Sequence, residues 1–75
     1  MIRTHKGHAE DAHNKYVIEV LKEGHVRTIV VEKNRKEIAR VWCEDKMTAV
    51  HKYIRQYVGS KYTLEKCEGE ERLCI

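Results

Sequence analysis

Three short runs of alternating, largely β-branched residues dominate the middle of the chain. They are Tyr16-Val17-Ile18-Glu19-Val20-Leu21, Val26-Arg27-Thr28-Ile29-Val30-Val31-Glu32 and Glu37-Ile38-Ala39-Arg40-Val41-Trp42-Cys43. Such runs fit a pleated, half-buried surface better than a helix. Each is separated from the next by a few turn-forming residues. Joined this tightly, they predict an antiparallel three-stranded meander. A helix from Ala9 to Glu23 competes for the first run, because Ala9, Ala12, Tyr16 and Val20 lie at helical spacing. The β-branched content and the turn at Glu23-Gly24 favour the strand. That turn predicts pairing of Ile18 with Ile29, Tyr16 with Val31 and Lys15 with Glu32. Between the second and third runs, Lys33-Asn34-Arg35-Lys36 reads as a turn in which Asn34 takes a positive φ.

A change of period follows. Met47, Val50, Ile54 and Tyr57/Val58 recur on one helical face, while Lys46, Lys52, Arg55 and Gln56 fall off it. Asp45 is a suitable N-cap and Gly59 sits where a glycine ends a helix, so a helix is expected over 46–58. Residues 61–67 alternate again, through Tyr62 and Leu64, and predict a fourth strand. Glu68-Gly69-Glu70-Glu71 reads as a turn and Arg72-Leu73-Cys74-Ile75 as a short fifth strand. Residues 1–14 are polar, contain His5, His8, His13 and Gly7, and carry almost no apolar pattern. They are expected to be a flexible arm ahead of a single α+β domain over 15–75.

Period two assigns the faces of the meander. One carries Tyr16, Ile18, Val20, Ile29, Val31, Ala39, Val41 and Cys43 and is the natural seat for Met47, Val50 and Ile54. The other carries Val17, Leu21, Val26, Val30, Ile38 and Trp42, with Glu19, Thr28 and Arg40 among them. A single helix covers one side only, and the second face is too apolar for a fully solvated antiparallel sheet. Those six apolar residues are therefore the expected protein interface, met by another protein or by a second copy of the chain. A chain of 75 residues buries a small core and is marginal alone, which is a further reason to expect a partner.

Charge divides the chain into three. Residues 1–23 are neutral, 24–61 hold nine basic and four acidic side chains, and 62–75 hold two basic and four acidic. The cationic middle suits nucleic acid or an acidic protein surface. With 41% apolar and 36% charged residues, the composition argues against disorder, a collagen or a transporter. No apolar run is long enough for a membrane span, and Met1-Ile2-Arg3-Thr4-His5-Lys6 lacks the core of a signal peptide. The three cysteines, Cys43, Cys67 and Cys74, are an odd number and form no Cys-x-x-Cys pair. Reduced thiols and a cytoplasmic location are the expectation, with no cofactor and no metal. Cys67 and Cys74 would face each other across the expected C-terminal turn.

No catalytic motif stands out. There is no phosphate-cradling glycine loop, no Gly-x-Ser-x-Gly and no His-Glu-x-x-His. A small ribonuclease needs only a histidine base and a cationic phosphate clamp, for which His25, His51, Arg27 and Arg55 are the candidates. The meander-then-helix order over residues 16–58, with the basic turn 33–36, resembles the later part of a double-stranded RNA-binding domain. If nucleic acid is the ligand, Lys33, Arg35, Lys36, Lys52 and Arg55 are the expected contacts. The family's lysine-rich helix start is represented by Lys46 alone, and its glycine-rich third strand and preceding helix are missing. In size and style the chain is also similar to small phage-encoded proteins that block host machinery, anti-CRISPR inhibitors among them, a resemblance that assigns no residue. The expectation is a non-catalytic protein-binding or inhibitory module, with a nucleic-acid-binding domain as the alternative and a small ribonuclease third.

Overall fold

The computed structural model describes residues 1–72, with side chains as far as Cys67. Five strands and one helix follow in the order β1 (Ile2–Glu10), β2 (Lys15–Glu23), β3 (Val26–Lys33), β4 (Lys36–Glu44), α1 (Met47–Val58) and β5 (Thr63–Arg72). The strands form one antiparallel sheet in the order β4-β3-β2-β1-β5, on which the helix packs, giving an α+β fold. The chain runs as a meander from β1 to β4. Helix α1 then carries it back over the sheet to the far edge, where β5 pairs with β1.

The expected core is the observed one. Ile18, Val20, Ile29 and Val31 of the sheet and Val50 and Ile54 of the helix are fully buried together. Tyr16, Ala39, Val41, Cys43, Met47 and Tyr57 pack around them. The β2–β3 register differs from expectation by two residues, pairing Ile18 with Val31 and Val20 with Ile29. The turn residues are Gly24 and His25, with Gly24 at φ +62°, because glycine adopts that left-handed conformation readily. A shift of two keeps every side chain on its face, which is why the core survives the error. At the next hairpin both Asn34 and Arg35 have positive φ. Asn34 Oδ1 accepts from the Lys15 amide at 2.9 Å and fixes the turn.

Residues 1–14 are not an arm. Ile2–Glu10 forms β1, paired with β2 on one side and β5 on the other. The β1–β2 turn is built by Asp11, whose Oδ1 accepts from the amides of His13 and Asn14 at 2.8 Å each. Gly7 is needed for β5 to approach. A Cβ there would overlap the Thr63 carbonyl oxygen and lie 3.0 Å from Leu64 Cδ1.

Asp45 does not cap the helix. The N-cap position is Lys46, with no side-chain hydrogen bond to the first turn, while Asp45 turns away to Arg27 and Lys22. At the other end Gly59, at φ +81°, donates its amide to the Arg55 carbonyl and terminates the helix as expected. β5 continues to Arg72, but its pairing with β1 breaks between Lys66 and Glu71, so the expected turn at 68–71 falls on an irregularity within the strand. Residues 73–75 of the expected fifth strand, and with them Cys74 and its placement opposite Cys67, lie outside the described residues.

Candidate functional site: the open sheet face and the β4 edge

The face away from α1 follows from the register. Thr28 pairs with Trp42, Val30 with Arg40 and Val26 with Glu44, and all alternate with the buried Ile29 and Val31. Val17, Glu19 and Leu21 lie on the same side of β2. All six residues expected at a protein interface therefore share or border this face, but they are not equally available. Leu21 is 3% exposed and Val30 5% exposed. Leu21 lies between Arg3 and Thr28, and Val30 between Glu19 and Arg40. Arg3 reaches Glu19 across β1 and β2 at 3.4 Å. Long charged side chains flanking an apolar one can cover it with their methylene stems while their heads stay in water.

What remains open is spread along the face. Trp42 is 73% exposed, and Val17, Val26 and Ile38 are exposed as well. Trp42 and Ile38 sit on β4, the outermost strand, which has a partner on one side only. β4 carries one extra residue opposite β3, because Val31 pairs with Ala39 and Glu32 with Glu37, leaving Ile38 as a bulge. Arg40 donates to Glu37 at 2.8 Å over the bulge. That contact holds the guanidinium pKa above its ordinary value.

On the helix side of the same edge lies a groove of about 540 Å³ lined by Cys43, Glu44, Thr48, Ala49, Lys52 and Tyr53. Burial pushes the Cys43 thiol pKa up, so it favours the protonated form.

A second groove, about 590 Å³, also borders the start of the helix and is lined by Arg3, His5, Lys22, Arg27, Met47 and Lys66 among others. Here Arg27 is the organising group. Its Nε donates to Asp45 at 2.6 Å and its Nη1 to Thr4 Oγ1 at 2.5 Å, while Lys22 reaches Asp45 at 3.2 Å. The hydrogen bonds from Arg27 and Lys22 hold the Asp45 carboxyl below its usual range. Burial, then the charges of Arg27 and Lys66, lower the pKa of His5.

The four residues named for nuclease chemistry are placed separately. His25 is in the β2–β3 turn, Arg27 is committed to Asp45 and Thr4, and Arg55 is exposed on the last helical turn. His51 is hydrogen-bonded to Tyr62 and stacked on it at 5.8 Å between ring centroids. No hydrogen bond joins any two of the four. Of the residues named for nucleic acid, Lys33 lies 6.0 Å from the Tyr16 ring centroid, and Arg35, Lys36, Lys52 and Arg55 are exposed and pair with no acid among the described residues. Among the described residues no three His, Cys, Asp or Glu side chains converge on a metal position. No helix among them is long and apolar enough to cross a membrane.

Sequence reasoning missed the Arg27–Asp45–Lys22 cluster and the β4 bulge. Asp45 stands where a helix cap is expected, which hides its pairing with distant cations, and a bulge leaves only a one-residue change of parity. No protein family, no curated protein and no solved structure matches this chain.

Proposed function

We propose that this chain is a small non-catalytic protein-binding or inhibitory module that docks through the open sheet face at Trp42 and the neighbouring β4 edge. The exposure of Trp42 carries the reading. A tryptophan left largely in water forgoes a large burial gain, and such residues anchor interfaces because one side chain removes much apolar area from water. Val26 on the adjoining strand, and Ile38 further along β4 beyond Arg40, add exposed apolar area. The likeness to small phage-encoded inhibitors rests on size and style and adds no residue to this site. Capture experiments with the intact chain and with Trp42→Ala test the reading. A protein retained by the intact chain after nuclease treatment, and lost with a folded Trp42→Ala variant, supports it. Equal retention by both removes Trp42 from the site.

A second reading, nucleic-acid binding, is favoured by one observation: Arg35, Lys36, Lys52 and Arg55 carry no acidic partner among the described residues. Under that reading log affinity for duplex DNA falls with log salt, by about 0.9 per phosphate neutralised. Replacing Lys33, Arg35 and Lys36 by alanine flattens the slope. Salt-independent binding, or no binding to any nucleic acid, discards it.

A further inference from the structure

We infer that the occupant of the β4 edge is a second copy of this chain, whose β4 pairs antiparallel about a two-fold axis through Trp42. This rests on the reading of the Trp42 face as a docking surface and names its partner.

The two edges of the sheet differ. Along β5 the sequence Thr63–Arg72 carries six charged residues, a common guard against edge pairing. β4 carries four over Lys36–Glu44, of which Lys36 and Glu37 lie before its bulge and Arg40 and Glu44 after it. Its bulge at Ile38 disrupts the half before Ala39 and leaves Ala39–Glu44 in regular register with β3. The regular stretch open to pairing is thus Arg40-Val41-Trp42-Cys43-Glu44, whose two charges are of opposite sign.

Few two-fold registers are open to it. An axis perpendicular to the sheet keeps each residue on its own face, so a residue must sit opposite itself. Centring on Arg40 sets two guanidinium groups against each other and runs the pairing through the bulge. Centring on Val41 puts Ile38 against Glu44. Centring on Cys43 puts Trp42 against Glu44.

The axis through Trp42 sets Trp42 against its own copy and Arg40 against Glu44 twice, all on the open face. Val41 then meets Cys43 twice on the helix face. The register therefore gives one aromatic pair and two opposite-charge pairs, with no like charges opposed.

Both charged residues are available for exchange. Among the described residues, Arg40 and Glu44 are ion-paired to exposed neighbours, Glu37 and Lys46, at 2.8 and 3.7 Å. On the helix side, the groove beside Cys43 and Thr48 offers room for Val41 of the second copy.

The test is sedimentation equilibrium of the intact chain, Arg40→Glu, Glu44→Arg and the double variant. The intact chain should dimerise, each single reversal should raise the dissociation constant by about tenfold or more, and the double reversal should restore it. A chain that stays monomeric at every concentration overturns the inference. So does a dimer indifferent to the single reversals, or one that the double variant fails to restore. Amide exchange of the intact chain supplies a readout free of any substitution. Protection of residues 40–44 should fall on dilution, and protection that ignores concentration contradicts the pairing. If the chain is monomeric yet captures another protein through Trp42, the second copy is wrong and the docking reading stands. If both fail, the docking reading falls too.

Discussion

Arg27 and Asp45 lie 18 residues apart in sequence and are joined by a 2.6 Å hydrogen bond from Nε to Oδ1. The pair fastens the beginning of β3 to the residue where the chain leaves β4 for the helix. Lys22 closes the same carboxylate from β2, so three consecutive segments converge on one acid. A second donor on Arg27 reaches Thr4 in β1. The cluster does the work of positioning the helix start that a capping side chain does elsewhere.

Two acid-sensitive groups follow from this cluster, with separate windows. Asp45 has a folded pKa below its ordinary 3.8, so its contribution is complete above that value and is lost as pH falls through the depressed folded value. His5 has a folded pKa below its ordinary 6.5, so its neutral form is the one the fold favours. The unfolded chain takes up the proton first, and stability declines as pH drops from about 6.5 toward the folded value. Thermal midpoints between pH 8 and pH 2 should show both declines. His5→Gln should remove the upper one and Asp45→Asn should weaken the lower one.

Gly7 is required by the approach of β5. Gly7→Ala should destabilise the fold by about 2 kcal/mol, because the obstacle is the Thr63 backbone and not the end of a flexible side chain. Denaturant unfolding of the two proteins measures it. An unchanged midpoint means that β5 does not pack against β1 as described.

Ile54 is fully buried between the helix and the central strands. Ile54→Ala should cost about 2–5 kcal/mol in a urea titration. A loss below about 1 kcal/mol would place a different helix face against the sheet.

The middle of this fold is legible in the sequence because its signals are strong and redundant. Alternation of β-branched residues set the faces of β2, β3 and β4, and the stripe Met47, Val50, Ile54 set the helix face. The β2–β3 register was less legible because a slip of two leaves all those signals intact. β1 was invisible for a different reason. Only Gly7 and Ala9 in it are buried, and neither carries a large apolar side chain, so a strand in the middle of the sheet reads as polar arm. Its usable clues were Asp11 and Asn14, which build a tight turn just before β2. At the site, period two placed Trp42 on the open face. It could not tell that Leu21 and Val30 would be buried there, since neighbours in a sheet come from other strands.

The most direct test of the account is the emission and acrylamide quenching of Trp42, the sole tryptophan, across a dilution series of the intact chain. In dilute solution Trp42 should emit as a hydrated indole and be quenched freely, in keeping with its 73% exposure. As concentration rises, emission should move to the blue and quenching should fall together with the growth of the dimer in sedimentation. Emission that is blue and protected at every dilution would contradict the account by placing Trp42 inside its own chain. Emission that stays hydrated at every concentration would contradict it by leaving the β4 edge without a second copy.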